Sequence, residues 1–566
     1  MTKPIATKVV DTIGSDNIAI PYGLIRTVRW GMDRLGLYDF FSDFKSKGVP
    51  LGIVVEVMCV HLLEGGSSMS ACSRDLSSPL AKVERTYGWG ISYQTIKRGL
   101  DDLGLYFEET LDAIWDGILG LYSPEKTDVY IDGSHVPVSG SKMSGAAVGY
   151  GGNGVQNQIQ FVVAMLMNPG IPFKIEVYPG NWNDPMQYSD FIPQLMLFLK
   201  KGSMIVMDNG GADKNILSEI TDSNMRYLTR KEVNKSDRTA VKELMESMVY
   251  LERGVGCIRR IAKNGKTTYW FFSVDKYIRS RLTAERNAQI AADRLKASLK
   301  RKGNPPKQTN LLSFGNTEFY ETTIQEYEYQ TKIDVWSEEA VEQVADLFAG
   351  SMCGWFKLES SHQMEPLVAL HTYRRRNDVE ELIKSIKNVA SLKPLRVWSS
   401  DTVRGSMLVS LLAQLFVCML REELPGDFVT RMIDRKMVKR LHKPSTETIA
   451  RSMGHLTVAV SVDRIGRISR VLCNSEDVSE QCMDVIEGKK GRFWMPSIEN
   501  QSLSKTMGSN CQMTHRKPNF HPPASMFHLT GIGPPENTVQ RAISQNVNLR
   551  KSNCQVQAHY HGSRRP

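Results

Sequence analysis

TDVYIDGSHVPV, residues 127–138, has the pattern of a strand. Further strands are expected at IQFVVAMLM (159–167), FKIEVYPG (173–180), MIVMD (204–208) and MRYLTR (225–230). Helical periods fall between the later ones, at YSDFIPQLMLFLK (188–200) and near 213–220. Strand, strand, strand, helix, strand, helix, strand describes an α/β domain with a mixed sheet. Sites in such sheets lie outside the strand ends, where the strand order switches. Two aspartates sit in such places: Asp132, between Ile131 and Gly133, and Asp208, directly before the Asn209-Gly210-Gly211 turn. A carboxylate ending an apolar strand is costly unless it binds a cation or accepts hydrogen bonds. The plainer reading is a carboxylate capping the following turn. Asp128 and Asp213 rank as substitutes, one before the buried part of its strand and the other beyond the turn.

The second decisive stretch is HTYRRRNDVEELIKSIKN, residues 371–388, which holds no Pro or Gly and reads as one helix. At roughly 100° per residue, Val379, Leu382, Ile383, Ile386 and Val389 form the core face. Tyr373, Arg376, Glu380 and Lys387 share the edge between core and water, where a helix borders a cleft. An exposed Arg376–Glu380 pair at i,i+4 is the alternative.

The spacing Y-x2-R-x3-E-x6-K resembles the signature of a large group of insertion-sequence transposases with ribonuclease H-like catalytic domains. Tyr373, Arg376, Glu380 and Lys387 match it without a gap, and GIPFKIEVYPGNWND (170–184) resembles the same group's G-x-P…GN…D segment. The chain departs from the pattern at Asn209, where the group usually has Arg after the second aspartate. The resemblance spans about residues 20–480. It implies that Asp132, Asp208 and Glu380 are catalytic and hold metal, while Arg376 and Lys387, with Tyr373, contact DNA phosphates at the element's end.

Three carboxylates converging on one point repel one another unless divalent cations neutralise them, and hard oxygen ligands suit Mg²⁺ or Mn²⁺. Two ions about 4 Å apart would activate a water or 3′-hydroxyl and stabilise the leaving 3′-oxygen.

The chain of 566 residues has room for several domains and carries a net charge of +10. That charge is uneven: residues 489–566 hold 11 Lys/Arg against 2 Asp/Glu, whereas the first 488 hold 60 against 59. Global charge is therefore weak support for nucleic-acid binding, and local patches must carry it. The nine cysteines include no C-x-x-C pair, which speaks against a zinc site or disulfide framework and fits a reducing cytoplasm. The first residues have no apolar signal-peptide core. The longest apolar run, Met407 to Leu420, is expected to be a buried helix too short to span a bilayer.

Residues 1–124 read as an all-α domain, with helices at 24–41, 53–65, 92–104 and 106–122, and the resemblance implies that this domain binds DNA. Ser92 is the expected N-cap of the third, and Lys97 and Arg98, with Tyr93 and Gln94, are candidate DNA contacts near its exposed end. An ordinary surface helix would look similar. The catalytic domain is expected at 125–231 and 336–424, interrupted by a strand-rich insertion at 232–335. The insertion holds a hairpin turning at Asn264-Gly265 and a basic helix at about 277–301. Trp270 or Tyr269 in that hairpin would either stack on an unpaired base or belong to the core. WFKLESS (355–361) reads as a strand, 425–488 as a helical segment and 489–566 as a basic, disordered tail.

The sequence thus points to a cytoplasmic DNA transposase: a ribonuclease H-like α/β sheet flanked by helices, an N-terminal helical domain and a β-rich insertion. Its expected partners are double-stranded DNA and a second copy of the chain, with no membrane. The rivals are a regulatory DNA-binding relative that has lost cutting, and a nuclease that cuts without joining.

Overall fold

The computed structural model describes residues 18–488, except short gaps and the stretches 280–351 and 389–398. The basic tail, most of the 277–301 helix and Val389 lie outside the described residues.

Among the described residues the strands run β1 (Ile18–Ile20), β2 (Val129–Pro137), β3 (Ala147–Gly151), β4 (Gly154–Leu166), β5 (Pro172–Pro179), β6 (Met204–Met207), β7 (Arg226–Lys231), β8 (Val249–Glu252), β9 (Val255–Ile261), β10 (Thr267–Ser273), β11 (Trp355–Ser360), β12 (Phe428–Ile433), β13 (Lys436–Arg440), β14 (Thr457–Val462) and β15 (Ile468–Cys473). Ten of them, β2 to β11, form one mixed sheet flanked by helices. At its centre the spatial order is β5-β4-β2-β6-β7. The three earliest of these five pair antiparallel, and β6 and β7 then add parallel to β2. Beyond β7 the order continues β11-β10-β9-β8, all antiparallel. The described strands of the 232–335 region therefore extend the main sheet through β11. The β9–β10 hairpin turns at Asn264-Gly265 as the sequence implies, with Gly265 at φ +83°.

The sheet's main helical cover is organised around one long helix, Ser400–Glu423, capped by the Ser399 hydroxyl. It is longer than its apolar run and is long and apolar enough to cross a membrane, yet 89% of its most apolar window is buried inside the protein. It packs on β5 and on the helices Tyr22–Arg34, Leu51–Leu63 and Tyr93–Leu105. Against the last of these the backbones nearly touch. A Cβ on Gly405 would lie 2.0 Å from the Leu100 carbonyl oxygen, and one on Gly104 would lie 1.9 Å from that of Asp401. Gly405→Ala must push two helices apart and is expected to cost about 3 kcal/mol or more, read by chemical denaturation.

Two expectations need correction. Residues 425–488 are not simply helical, because β12 to β15 lie there beside the helices Thr446–His455 and Asp477–Glu487. The run TVAVSV has the alternation and β-branching of a strand. Nor are the first 124 residues all-α, since β1 pairs with β14, Ile18 facing Val460. A strand of three residues has too little periodicity to be read locally.

Candidate active site

Asp132 and Asp208 come together through sheet register. The parallel pairing of β2 with β6 sets Val129 opposite Ile205 and Tyr130 opposite Val206. Carried two residues further, just past the end of β6 at Met207, the same register brings Asp132 level with Asp208, whose charge acts on the Asp132 carboxyl. The same step from β6 to β7, where Met207 faces Thr229, puts Arg230 next in line.

Each aspartate is also tied to its own backbone. Asp208 Oδ1 accepts the Gly210 N–H at 2.9 Å, so it does cap the turn, and its carbonyl accepts the Thr229 hydroxyl at 3.0 Å. That turn must be glycine-rich, because a Cβ on Gly210 would lie 2.4 Å from Asp184 Oδ2 and one on Gly211 2.8 Å from the Tyr188 ring. Asp132 Oδ1 accepts the Gly133 N–H at 3.1 Å. The substitutes have other work. Asp128 accepts the Met204 N–H at 2.7 Å, and Asp213 caps the helix Lys214–Asp222.

The 371–388 segment differs from the single helix its periodicity predicts. It forms two helices, Pro366–Arg374 and Asn377–Asn388, broken at Arg375 and Arg376. Tight turns close the junction, with Arg376 N–H on the Tyr373 carbonyl and Val379 N–H on that of Arg376. No Pro or Gly marks the break. Helical propensity is a weak preference that tertiary contacts override, and here the contacts are ionic. Arg376 Nη1 lies 3.2 Å from Asp132 Oδ1, while Nη2 donates to Glu380. The side chain of Arg376 is 13% exposed, so the Arg376–Glu380 pair is no simple surface contact. The guanidinium also sits 5.7 Å from the centre of the half-buried Tyr373 ring. The apolar face is as read: Val379, Leu382, Ile383 and Ile386 are buried, and the helix packs on β2, β4 and the Ser400–Glu423 helix.

Asp132, Asp208, Glu380, Arg376 and Tyr373 thus gather at one place. Burial pushes the Asp132 carboxyl up to about 6; Arg376 opposes this, and Asp208 and Glu380 reinforce it. A group whose folded pKa is raised stabilises the fold below its unfolded value. That contribution is lost as pH rises from about 4 through about 6. Asp132→Asn is therefore expected to stabilise the metal-free protein by about 2–3 kcal/mol at pH 8 and by almost nothing at pH 4. Urea denaturation at the two pH values measures the difference.

The donors are chemically those of a hard divalent cation. Among the described residues, however, no three His, Cys, Asp or Glu side chains stand at common ligating distance. Arg376 holds Asp132 and Glu380 as their counter-ion, so a cation can take both only as Arg376 gives them up.

The other candidates lie elsewhere. Lys387 is half-buried, two turns past Glu380 and about 10 Å further along the axis. Ser92 caps the helix Tyr93–Leu105 as expected; on it Lys97 pairs with Asp101 at 2.7 Å, and Tyr93, Gln94 and Arg98 are exposed. Trp270 is corrected to a core residue. It is 3% exposed, its indole donates to Asp237 at 2.9 Å, and it cannot stack on a base without unfolding the hairpin. Tyr269 is fully buried as well, with its hydroxyl on the Met364 carbonyl.

Beside Asp208 opens a cleft of about 400 Å³ whose lining includes Tyr373 and Arg376, the carboxylate of Glu232, and the cations Arg230, Lys231 and Lys276. The sequence reading did not pick out these last three. The charges ending β7 are the signal that would have found Arg230; nothing local marks Lys276.

No family model matches the chain, and no curated protein matches it. Among solved structures, a cryo-electron-microscopy structure of the piggyBac transposase synaptic complex with hairpin DNA aligns over 76% of this chain and 76% of its own. The identity is 10% and the TM-score 0.35, too slight a likeness to bear on fold or function.

Proposed function

We propose that this chain is a metal-dependent DNA transposase with a ribonuclease H-like catalytic sheet, cutting at element ends and joining the freed 3′-hydroxyl to target DNA. The observation that carries the reading is the side-by-side placement of Asp132 and Asp208 on parallel strands, with Glu380 linked to them through Arg376. The strand order β5-β4-β2-β6-β7 supports it: three antiparallel strands followed by two added parallel at the first one's free edge. The Y-x2-R-x3-E-x6-K spacing supports it independently.

Asp132, Asp208 and Glu380 would hold Mg²⁺ or Mn²⁺, which when bound supplies Lewis-acid activation of the attacking hydroxyl and stabilisation of the leaving oxygen. The chain's own residues do the rest. The backbone N–H groups of Gly133 and Gly210 orient the two aspartates. Arg376, released from the carboxylates, presents a planar fork that suits a phosphate. Lys387 lies along the same helix for a neighbouring phosphate. The exposed end of the Tyr93–Leu105 helix offers Tyr93, Gln94 and Arg98 to duplex DNA. Working as a pair of chains in the cytoplasm belongs to the same proposal.

The test uses a plasmid carrying the sequences that flank the gene. Purified protein with Mg²⁺ or Mn²⁺ should nick at the flanks and join the new 3′ ends to a second plasmid. With Ca²⁺ it should bind but cut little, because calcium's loose coordination organises in-line displacement poorly. Cutting that persists in EDTA overturns the metal mechanism. Cutting without joined products reduces the proposal to a nuclease.

A further inference from the structure

Four cations, Arg230, Lys231, Lys276 and Arg376, line the cleft beside Asp208, against the two carboxylates Asp208 and Glu232. Arg376 is paired with Asp132 and Glu380, and Lys231 donates to the neutral Ala212 carbonyl. Arg230 and Lys276 stand beside them in the same cleft. Arg230, the last residue but one of β7, is exposed and makes no ion pair among the described residues. Lys276 is half-buried; its ammonium donates to the Trp355 carbonyl at 2.5 Å and lies 5.2 Å from the centre of the Phe356 ring. Neither contact supplies a negative charge. Burial pulls this ammonium down to about 8, and the neighbouring Arg230 adds to the effect. Holding it there is costly unless something anionic enters.

We propose that Lys276 and Arg230 form a phosphodiester-binding subsite in this cleft, gripping the DNA backbone next to the phosphate that is cut. The proposal rests on the DNA-cutting reading and adds to it a second pair of cations for the substrate, in the same cleft as Arg376. The chemistry suits the purpose. An ammonium has three N–H donors, and Trp355 uses one of them, so at least one remains for a phosphate oxygen. Arg230, aligned by register with Asp132 and Asp208, adds a fork within reach of the same strand. The cleft is open and polar, and at about 400 Å³ it lies within the size range of ligand sites. The Phe356 ring, over which the ammonium lies, adds a cation–π contact to the Trp355 hydrogen bond. The backbone positions come from β7 and β11 and from the residues following β10.

A buried lysine kept only for packing would give a different result, and the full-length chain can tell the two apart. Fluorescence anisotropy with a labelled duplex from the gene's flanks, in Ca²⁺ to hold cutting down, gives affinity as a function of KCl. For Lys276→Met, affinity at low salt should fall about tenfold. The slope of log affinity against log salt should become shallower by about one ion. Lys276→Arg should recover most of both, and Arg230→Met should behave like Lys276→Met. Thermal unfolding of the variants without DNA should match the parent or exceed it. An unchanged slope and affinity in Lys276→Met overturns the subsite. So does a loss of affinity accompanied by an equal loss in thermal stability that Lys276→Arg does not restore. If the parent chain itself shows no salt-dependent binding to the duplex, the failure is that of the DNA-cutting reading. A parent that binds normally beside an indifferent Lys276→Met isolates the failure to this inference.

Discussion

Asp132→Asn, Asp208→Asn and Glu380→Gln should each lower strand cleavage by about a thousandfold or more, roughly 4 kcal/mol of barrier, while binding of flank DNA changes little. The substitutions keep shape and hydrogen bonding and remove only the charge. Asparagine at 132 can still accept the Gly133 N–H. At 208 it can still cap the glycine turn, since Asn serves as a cap as well as Asp does. The Asp208 comparison matters because that carboxylate has a structural role as well as the proposed one. A loss in Asp208→Asn with folding intact belongs to the charge and not to the turn. Asp128→Asn and Asp213→Asn are the matching controls. Their carboxylates support the Met204 N–H and a helix end, so they should cut normally. Quantified nicking of the flank-bearing plasmid in Mg²⁺ decides it, and near-parental activity in any one of the three removes that residue from the site.

Arg376→Ala is expected to have two separable effects. Without metal it strips the counter-ion from Asp132, whose side chain is only 16% exposed, and leaves three carboxylates facing one another. Stability should fall by about 2–3 kcal/mol, and Mg²⁺ should restore much of it by taking the vacated place. With metal and DNA present, cleavage should still fall by about a hundredfold, because the phosphate has lost its guanidinium fork. Arg376→Lys should recover stability better than cleavage, since an ammonium neutralises charge but does not hold a phosphate bidentately. Arg374 and Arg375 carry the same charge but other partners. Arg374 pairs with Glu252, Arg375 donates to the Met167 carbonyl, and both side chains are more than 40% exposed. Their alanine variants should cut nearly as the parent does. Equal losses at 374, 375 and 376 would make this helix a diffuse basic patch and remove the special place given to Arg376.

The local elements were legible because periodicity reports what a residue's own segment buries. A strand pattern marked β2, and Asp132 and Asp208 stood out because each interrupts or ends an apolar strand. The apolar face of the Asn377–Asn388 helix followed from its 3.6-residue period. Ser92 declared its helix start by the chemistry of a hydroxyl cap. Every one of these signals acts over a few neighbouring residues.

What lay beyond the sequence were facts about partners far apart in the chain. Which strand β2 would pair with, and in what register, depends on the packing of a whole sheet, and that register alone sets Asp132 beside Asp208 and Arg230. Arg376 and Asp132 are 244 residues apart, so no periodicity foretold that their attraction would accompany a break between two helices where propensity favours one. Trp270 sits in the run Tyr269–Phe272, aromatic on both faces of the strand, so no periodicity told a buried ring from an exposed one. Only the pairing of β10 with β11, and Asp237 waiting for its N–H, turned it inward. Lys276 carries no motif; its meaning comes from the Trp355 carbonyl and the neighbouring Arg230. The sequence by itself determined the segments and the carboxylates they carry. Tertiary structure decided which charges meet, because electrostatic energy depends on distance in space and burial, neither of which chain order specifies.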